Sequence, residues 1–194
     1  MENSGQYLHL WAIVPPADIA QEIDDLRKEF SVNFQCFKAL KPPVHLTLYT
    51  LFKSTIPDVE SRIEPLSRWI SRQPAFSLEL KNFNFFEYNR VVFIDVVANP
   101  DIKALNAGLS HETKKLLALS ESGKPQYHPH FTIGYRDISP EIFPQVKQAY
   151  NRRLFHAVFD VEHVCLFRHN RVKWELQYEL PLSGEVIEQG TLFA

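Results

Sequence analysis

The chain has 194 residues, 45% hydrophobic and 23% charged, with a formal net charge of −2. That length supports a real core in one large domain or two small lobes. The charge balance excludes a broad basic footprint for long nucleic acid but not a small phosphate-bearing substrate held by local cations. Cys36 and Cys165 lie far apart, in neither CxxC nor CxxH spacing, which argues against a disulfide framework or a structural zinc. With no leader pattern and no apolar run near the roughly 18 residues of a membrane span, a cytoplasmic protein is expected.

In chain order, Tyr7 to Val14 reads as a buried strand ended by Pro15-Pro16, followed from Asp18, a plausible N-cap, by a helix with Ile19, Ile23, Leu26 and Phe30 inward. A strand over Val44 to Phe52 precedes a helix opened by Pro57-Asp58, with Val59, Ile63, Leu66 and Ile70 inward. Phe76 to Asn82 alternates like a strand, and Val91 to Val97 is an apolar strand stopped by Asn99-Pro100. Asp101 caps a third helix, His130 to Tyr135 forms a strand, and Ser139-Pro140-Glu141 starts a fourth helix. Two strands, roughly Phe155 to Arg168 and Arg171 to Leu182, close the pattern, and Glu185 to Ala194 has room for a short edge strand.

Two segments of this pattern repeat one another. His45-Leu46-Thr47-Leu48 is echoed by His130-Phe131-Thr132-Ile133, and each copy closely follows a proline. In a strand, residues i and i+2 share a face, so each copy presents an imidazole and a hydroxyl together and anchors itself through the opposite apolar face. Tyr7 and Val91 are separated by 84 positions, and His45 and His130 by 85. The matched offsets predict an α+β fold of two duplicated β-α-β-α-β lobes, about 1–85 and 86–194. A pseudo-two-fold axis would relate them, with antiparallel-rich sheets flanking a central cleft. Facing imidazoles form a general acid and general base pair for phosphodiester chemistry, and the threonine hydroxyls suit the non-bridging oxygens.

Paired HxTx motifs in two repeated lobes resemble the 2H phosphoesterase superfamily, which includes 2'-5' RNA ligase-like proteins and cyclic phosphodiesterases. HLTLYTLF resembles its first motif and PHFTIGYR its second, and the order of elements around both, including Asn89-Arg90-Val91-Val92-Phe93, also fits. The resemblance implies a monomer without cofactor or metal, acting on RNA ends or small nucleotides. The implied reactions are opening of 2',3'-cyclic phosphates and cleavage or ligation of 2'-5' linkages. It implies His45 and His130 as the acid/base pair and Thr47 and Thr132 as phosphate binders. Family members often carry an arginine five positions after the second histidine. Here Tyr135 stands there and Arg136 follows, which in a continuing strand turns the guanidinium to the other face.

Further candidates for substrate contact are Tyr49, on the expected His45 face, His128 at the cleft mouth, Arg90 and Trp174. For Tyr49 and Trp174, core packing is the competing reading; for Arg90 it is solvated surface. Phe86 shares with Trp174 the option of stacking a base. His128-Pro129-His130 spells HxH but lacks a third ligand at metal spacing. A non-catalytic module that binds RNA ends or nucleotides on the same fold is the alternative to an enzyme, and it would not need both imidazoles.

Overall fold

The computed structural model of the chain describes residues 5–119 and 126–184. Strand β1 (Tyr7–Ile13) ends at the diproline, and α1 (Ala17–Phe34) begins directly after Pro16. Asp18 is therefore not the cap. It lies in the first turn, where its charge favours the helix dipole. Strand β2 (Leu46–Ser54) leads to α2 (Ile56–Ser71), whose cap is Thr55, its hydroxyl accepting from Asp58 N at 3.2 Å.

Strands β3 (Phe76–Phe86) and β4 (Val91–Val96) precede α3 (Pro100–Leu117). Asn99, not Asp101, caps α3, its Oδ1 accepting from Asp101 N at 2.8 Å and Ile102 N at 3.1 Å. Strand β5 (His130–Gly134) and α4 (Phe143–Tyr150) follow. Helix α4 starts later than the sequence suggested, because Ser139 instead holds the turn before it by accepting from Phe143 N and Ile142 N. Three strands come next rather than two: β6 (His156–Val161), β7 (His163–His169) and β8 (Trp174–Pro181). The expected edge strand over 185–194, and part of the loop expected over 120–128, fall outside the described residues.

All eight strands form one antiparallel sheet in the order β6-β3-β4-β5-β2-β1-β7-β8. The inner four strands, β4-β5-β2-β1, are symmetric about the β5/β2 seam, as the pseudo-two-fold expected from the matched spacing requires. The halves of the sheet, however, exchange strands. Strand β3 pairs with β4 and β6, while β7 and β8 complete the sheet beside β1. The spatial lobes are therefore not the consecutive stretches 1–85 and 86–194.

Only Glu162 separates β6 from β7, although the two lie six places apart in the sheet. Covalent reach alone then requires the sheet to curl until one bent strand joins its two sides.

The helices cross over in the same way. Helix α1 packs on β5 and α3 on β2, so each half of the chain covers the other half's motif strand. Behind the sheet a single large core includes Trp11, Ile23, Phe30, Leu46, Phe131 and Leu109. The opposite face carries a smaller apolar cluster, Leu10, Ala12, Cys165 and Phe167, with Trp174 against it, and the Phe86–Phe93 pair beside His130. That face is left free for a site. No helix of the described residues is long and apolar enough to cross a membrane.

Gly134 shows how closely α1 approaches β5, since a Cβ there would overlap the Phe30 ring. Gly134→Ala is expected to lower stability by about 1–3 kcal/mol through overpacking, read as a lower urea midpoint with an unchanged slope. A second prediction concerns His9, which is 1% exposed, stacked on Phe52 and bonded through Nδ1 to Tyr7 O at 3.1 Å. Burial, aided by Arg168, lowers its pKa from 6.5 to about 4. The unfolded chain then binds the extra proton first, so this stability is present above pH 6.5 and is lost as pH falls toward 4. Chemical denaturation between those pH values is expected to show a smaller loss in His9→Phe than in the wild type.

Candidate active site

The two motifs meet at one point of register. Leu46 of β2 is opposite Phe131 of β5, and both are fully buried on the core side. Because the pair is antiparallel, that register sets His45 across from Thr132 and Thr47 across from His130, all on the face turned away from the core. Neighbouring strands confirm the face: Thr47 is opposite Ala12, Thr132 opposite Phe93, and His130 opposite Asp95.

Both histidines are held in the same way. His45 Nδ1 lies 2.8 Å from Pro43 O, and His130 Nδ1 lies 2.7 Å from His128 O. A carbonyl can only accept, so the proton sits on Nδ1 in each neutral ring and Nε2 carries the lone pair. The prolines ahead of each motif belong to this device, since both carbonyls come from proline-bearing turns.

The electrostatic surroundings of the two rings differ. Burial lowers the His45 pKa below 6.5, and Arg27 and His130 push it the same way against the Pro43 carbonyl. Burial also lowers His130, with His128 adding to the effect, but here Asp95 joins the carbonyl in opposing it. Asp95 is itself fixed by Asn84 Nδ2 at 3.0 Å and faces His128 Nε2 at 2.9 Å. A cation stands behind one imidazole and a carboxylate behind the other.

A cavity of about 360 Å³ opens beside His45, Thr47 and Thr132. Arg27, Lys41, Tyr135 and Arg136 line one part of it, and His169 and Trp174 another. Arg27 is 3% exposed; its Nη2 donates to Pro42 O at 2.7 Å, its Nη1 lies 3.7 Å from Asp24 Oδ1, and its buried Nε has no partner among the described residues. Asp137 ties the two cationic loops together, its Oδ2 accepting from Phe37 N at 2.7 Å and Lys38 N at 2.8 Å.

The remaining candidates divide. Trp174 lines the cavity, as the reading of it as a substrate contact requires. Tyr49 does not share the His45 face. Trp11 pairs with Tyr49 and Ala12 with Thr47, so Leu48 is an extra residue and the bulge turns Tyr49 into the core, where it packs on Phe52. Arg90 donates from Nε to Ile138 O at 2.8 Å and lies outside the cavity lining. His128 is engaged with Asp95 and lends its carbonyl to His130. It borders a separate hollow of about 780 Å³ near Phe86 and Lys103. The alternation argument against Arg136 does not hold, because β5 stops at Gly134 and Arg136 adopts φ +65°, which brings it to the cavity lining.

Arg27 and Asp95 were missed as site residues, yet both carried a signal. Arg27 lies four residues after Ile23, on the buried stripe of α1, and Asp95 is the one charge in an otherwise apolar strand. Nothing in the sequence marks Lys41 or His169. Among the described residues, no group of three or more His, Cys, Asp or Glu converges as metal ligands would.

Comparison with known proteins bears on the fold and the family. A protein of Bacillus pumilus (strain SAFR-032) named "Putative phosphoesterase" is 30% identical over 174 residues, covering 88% of this chain and 94% of the relative. The crystal structure of E. coli LigT complexed with 3'-AMP superposes with a TM-score of 0.64 at 19% identity, covering 92% of this chain and 99% of LigT. TT0787 of Thermus thermophilus gives 0.66 at 18% identity over 93% and 100% of the two chains. At those identities the structural likeness establishes the shared fold. The family model for the 2'-5' RNA ligase superfamily matches residues 15–173, and the chain belongs to that superfamily, the 2H phosphoesterases.

Proposed function

We propose that the chain is a metal-independent phosphodiesterase of RNA ends or small nucleotides, opening 2',3'-cyclic phosphates, with 2'-5' linkages as the related substrate. The observation that carries this is the matched pair of imidazoles, each with Nδ1 on the carbonyl two residues earlier and each with Nε2 left for a substrate. The 3'-AMP in E. coli LigT supports it by analogy, since opening the 2' bond of an adenosine 2',3'-cyclic phosphate leaves that nucleotide.

The charge asymmetry favours His45 as base and His130 as acid. His45 Nε2 takes a proton from water as the water oxygen bonds to phosphorus. The bond from phosphorus to the ribose oxygen breaks in line, and His130 Nε2–H gives its proton to that leaving oxygen. A bound phosphate raises both pKa values by its negative charge. Asp95 beside His130 favours its protonated form, while Arg27 disfavours protonation of His45. Thr47 and Thr132 donate to the non-bridging oxygens as charge grows there.

Hydrolysis of adenosine 2',3'-cyclic phosphate in EDTA tests this. Turnover is expected to persist with chelator and to fall about 10²- to 10⁴-fold in His45→Ala and in His130→Ala. Nucleotide binding without turnover, unchanged in both variants, would instead mark a binding module. The pH profile tests the roles. The limb that rises with pH belongs to the base, and removing a nearby cation raises the pKa of that base. Arg27→Gln is therefore expected to move this limb of kcat/KM to higher pH, while Arg27→Lys, which keeps the charge, leaves it near the wild-type position.

A further inference from the structure

The cavity beside His45 is polarised along the strands. Lys41 and the turn held by Arg27 precede His45, and Tyr135 and Arg136 leave β5 at the same end, so the cations gather where β2 begins. Thr47 and Thr132 lie along its middle. At the far end Leu8 of β1 is opposite His169, which is opposite Trp174, and the Trp174 ring lies edge-on to His169 at 5.1 Å. The order along the cavity is thus cationic, then hydroxyl and imidazole, then aromatic.

Three guanidinium or ammonium groups are more than the scissile group needs. A phosphodiester carries one negative charge, and two threonines and a protonated imidazole already face it. Yet no carboxylate lines this cavity among the described residues, in a chain whose acidic residues outnumber its lysines and arginines, 23 to 21. Arg27 adds a second kind of observation. It is almost wholly buried, its Nη1 lies 3.7 Å from the Asp24 carboxylate, a long ion pair, and its Nε has no partner among the described residues. A buried guanidinium with one N–H unbonded and its carboxylate at long range keeps capacity for a second anion.

The covalent shape of a nucleoside matches this order. Seen from its 2',3' edge, the base leaves the ribose on the C1' side and the 5' carbon leaves on the C4' side. With the 2',3' phosphate between His45 and His130 and the base toward Trp174, the 5' oxygen points to the cations.

We propose that the Arg27–Lys41–Arg136 end of the cavity is a second phosphate subsite, which takes the 5'-phosphate of the nucleoside whose 2',3' end is processed. The proposal rests on the phosphodiesterase reading and deepens it. The preferred substrates are 5'-phosphorylated, either as a free 5'-monophosphate or as the diester to a preceding RNA nucleotide, and an unphosphorylated nucleoside cyclic phosphate is turned over but less efficiently.

The test separates binding from turnover. Adenosine 3',5'-bisphosphate and adenosine 3'-monophosphate are titrated by calorimetry into wild type, Lys41→Gln and Arg136→Gln, and the bisphosphate and monophosphate also into His45→Ala. The bisphosphate is expected to bind at least tenfold more tightly than the monophosphate. That ratio is expected to fall toward one in Lys41→Gln and Arg136→Gln but to persist in His45→Ala. Equal affinities in wild type, or a ratio untouched by either cation substitution, would overturn the subsite. Turnover is then compared for adenosine 2',3'-cyclic phosphate, its 5'-phosphorylated form and an RNA trinucleotide ending in the cyclic phosphate. A gain confined to the 5'-phosphorylated mononucleotide assigns the subsite to a free phosphate, and a gain with the trinucleotide assigns it to an RNA chain. Preferential bisphosphate binding with no turnover of any substrate keeps the subsite and removes the phosphodiesterase reading.

Discussion

The site depends on the antiparallel contact between Leu46 and Phe131 at the β2/β5 seam. Side chains alternate along a strand, so a slip of one residue there would send one His/Thr pair into the core and leave the other alone. The slip is resisted because both contact residues are buried at the centre of the large core. The crossed helices strengthen this arrangement. Phe30 of α1 presses on Gly134 of β5, while α3 packs on β2, so each motif strand is held from behind by the opposite half of the chain. Packing energy on the core side thereby becomes positional accuracy on the site side.

Backbone carbonyls do for the two histidines what carboxylates do in many other acid/base sites. A carbonyl selects the tautomer and fixes the ring without adding charge. The charges are free to differ between the two positions, with Arg27 near His45 and Asp95 near His130. A symmetric frame therefore carries an asymmetric field. Such a difference suits a reaction in which one proton is taken and another given on opposite sides of phosphorus. Arg27 serves this frame twice, since the carbonyl it binds, Pro42 O, is adjacent to the one that orients His45.

Much of this was legible in the residues. Matched spacing and paired motifs pointed to the α+β class, the pseudo-symmetry and the family, and apolar periodicity located the four helices. The errors have specific causes. The sequence suggests caps at Asp18 and Asp101, but a proline boundary and Asn99 mark those starts. Tyr49 was placed by strict alternation, which one extra residue at Leu48 reverses. Strand alternation turns Arg136 away only if β5 continues two residues beyond Gly134, where it in fact stops. In each case a local rule was applied across a point where the backbone changes conformation.

The sequence alone determined which residues have the right chemistry, because imidazole, hydroxyl and alternation are properties of a few adjacent positions. Tertiary structure decided which of them meet. The exchange of β3 for β7 and β8 between lobes, and the curl forced at Glu162, arise from long-range pairing that no local pattern encodes. The same holds for Arg27 beside His45 and Asp95 beside His130. Their effect is electrostatic and falls with distance, so it exists only once helix α1 and strand β4 have been packed against the motif strands.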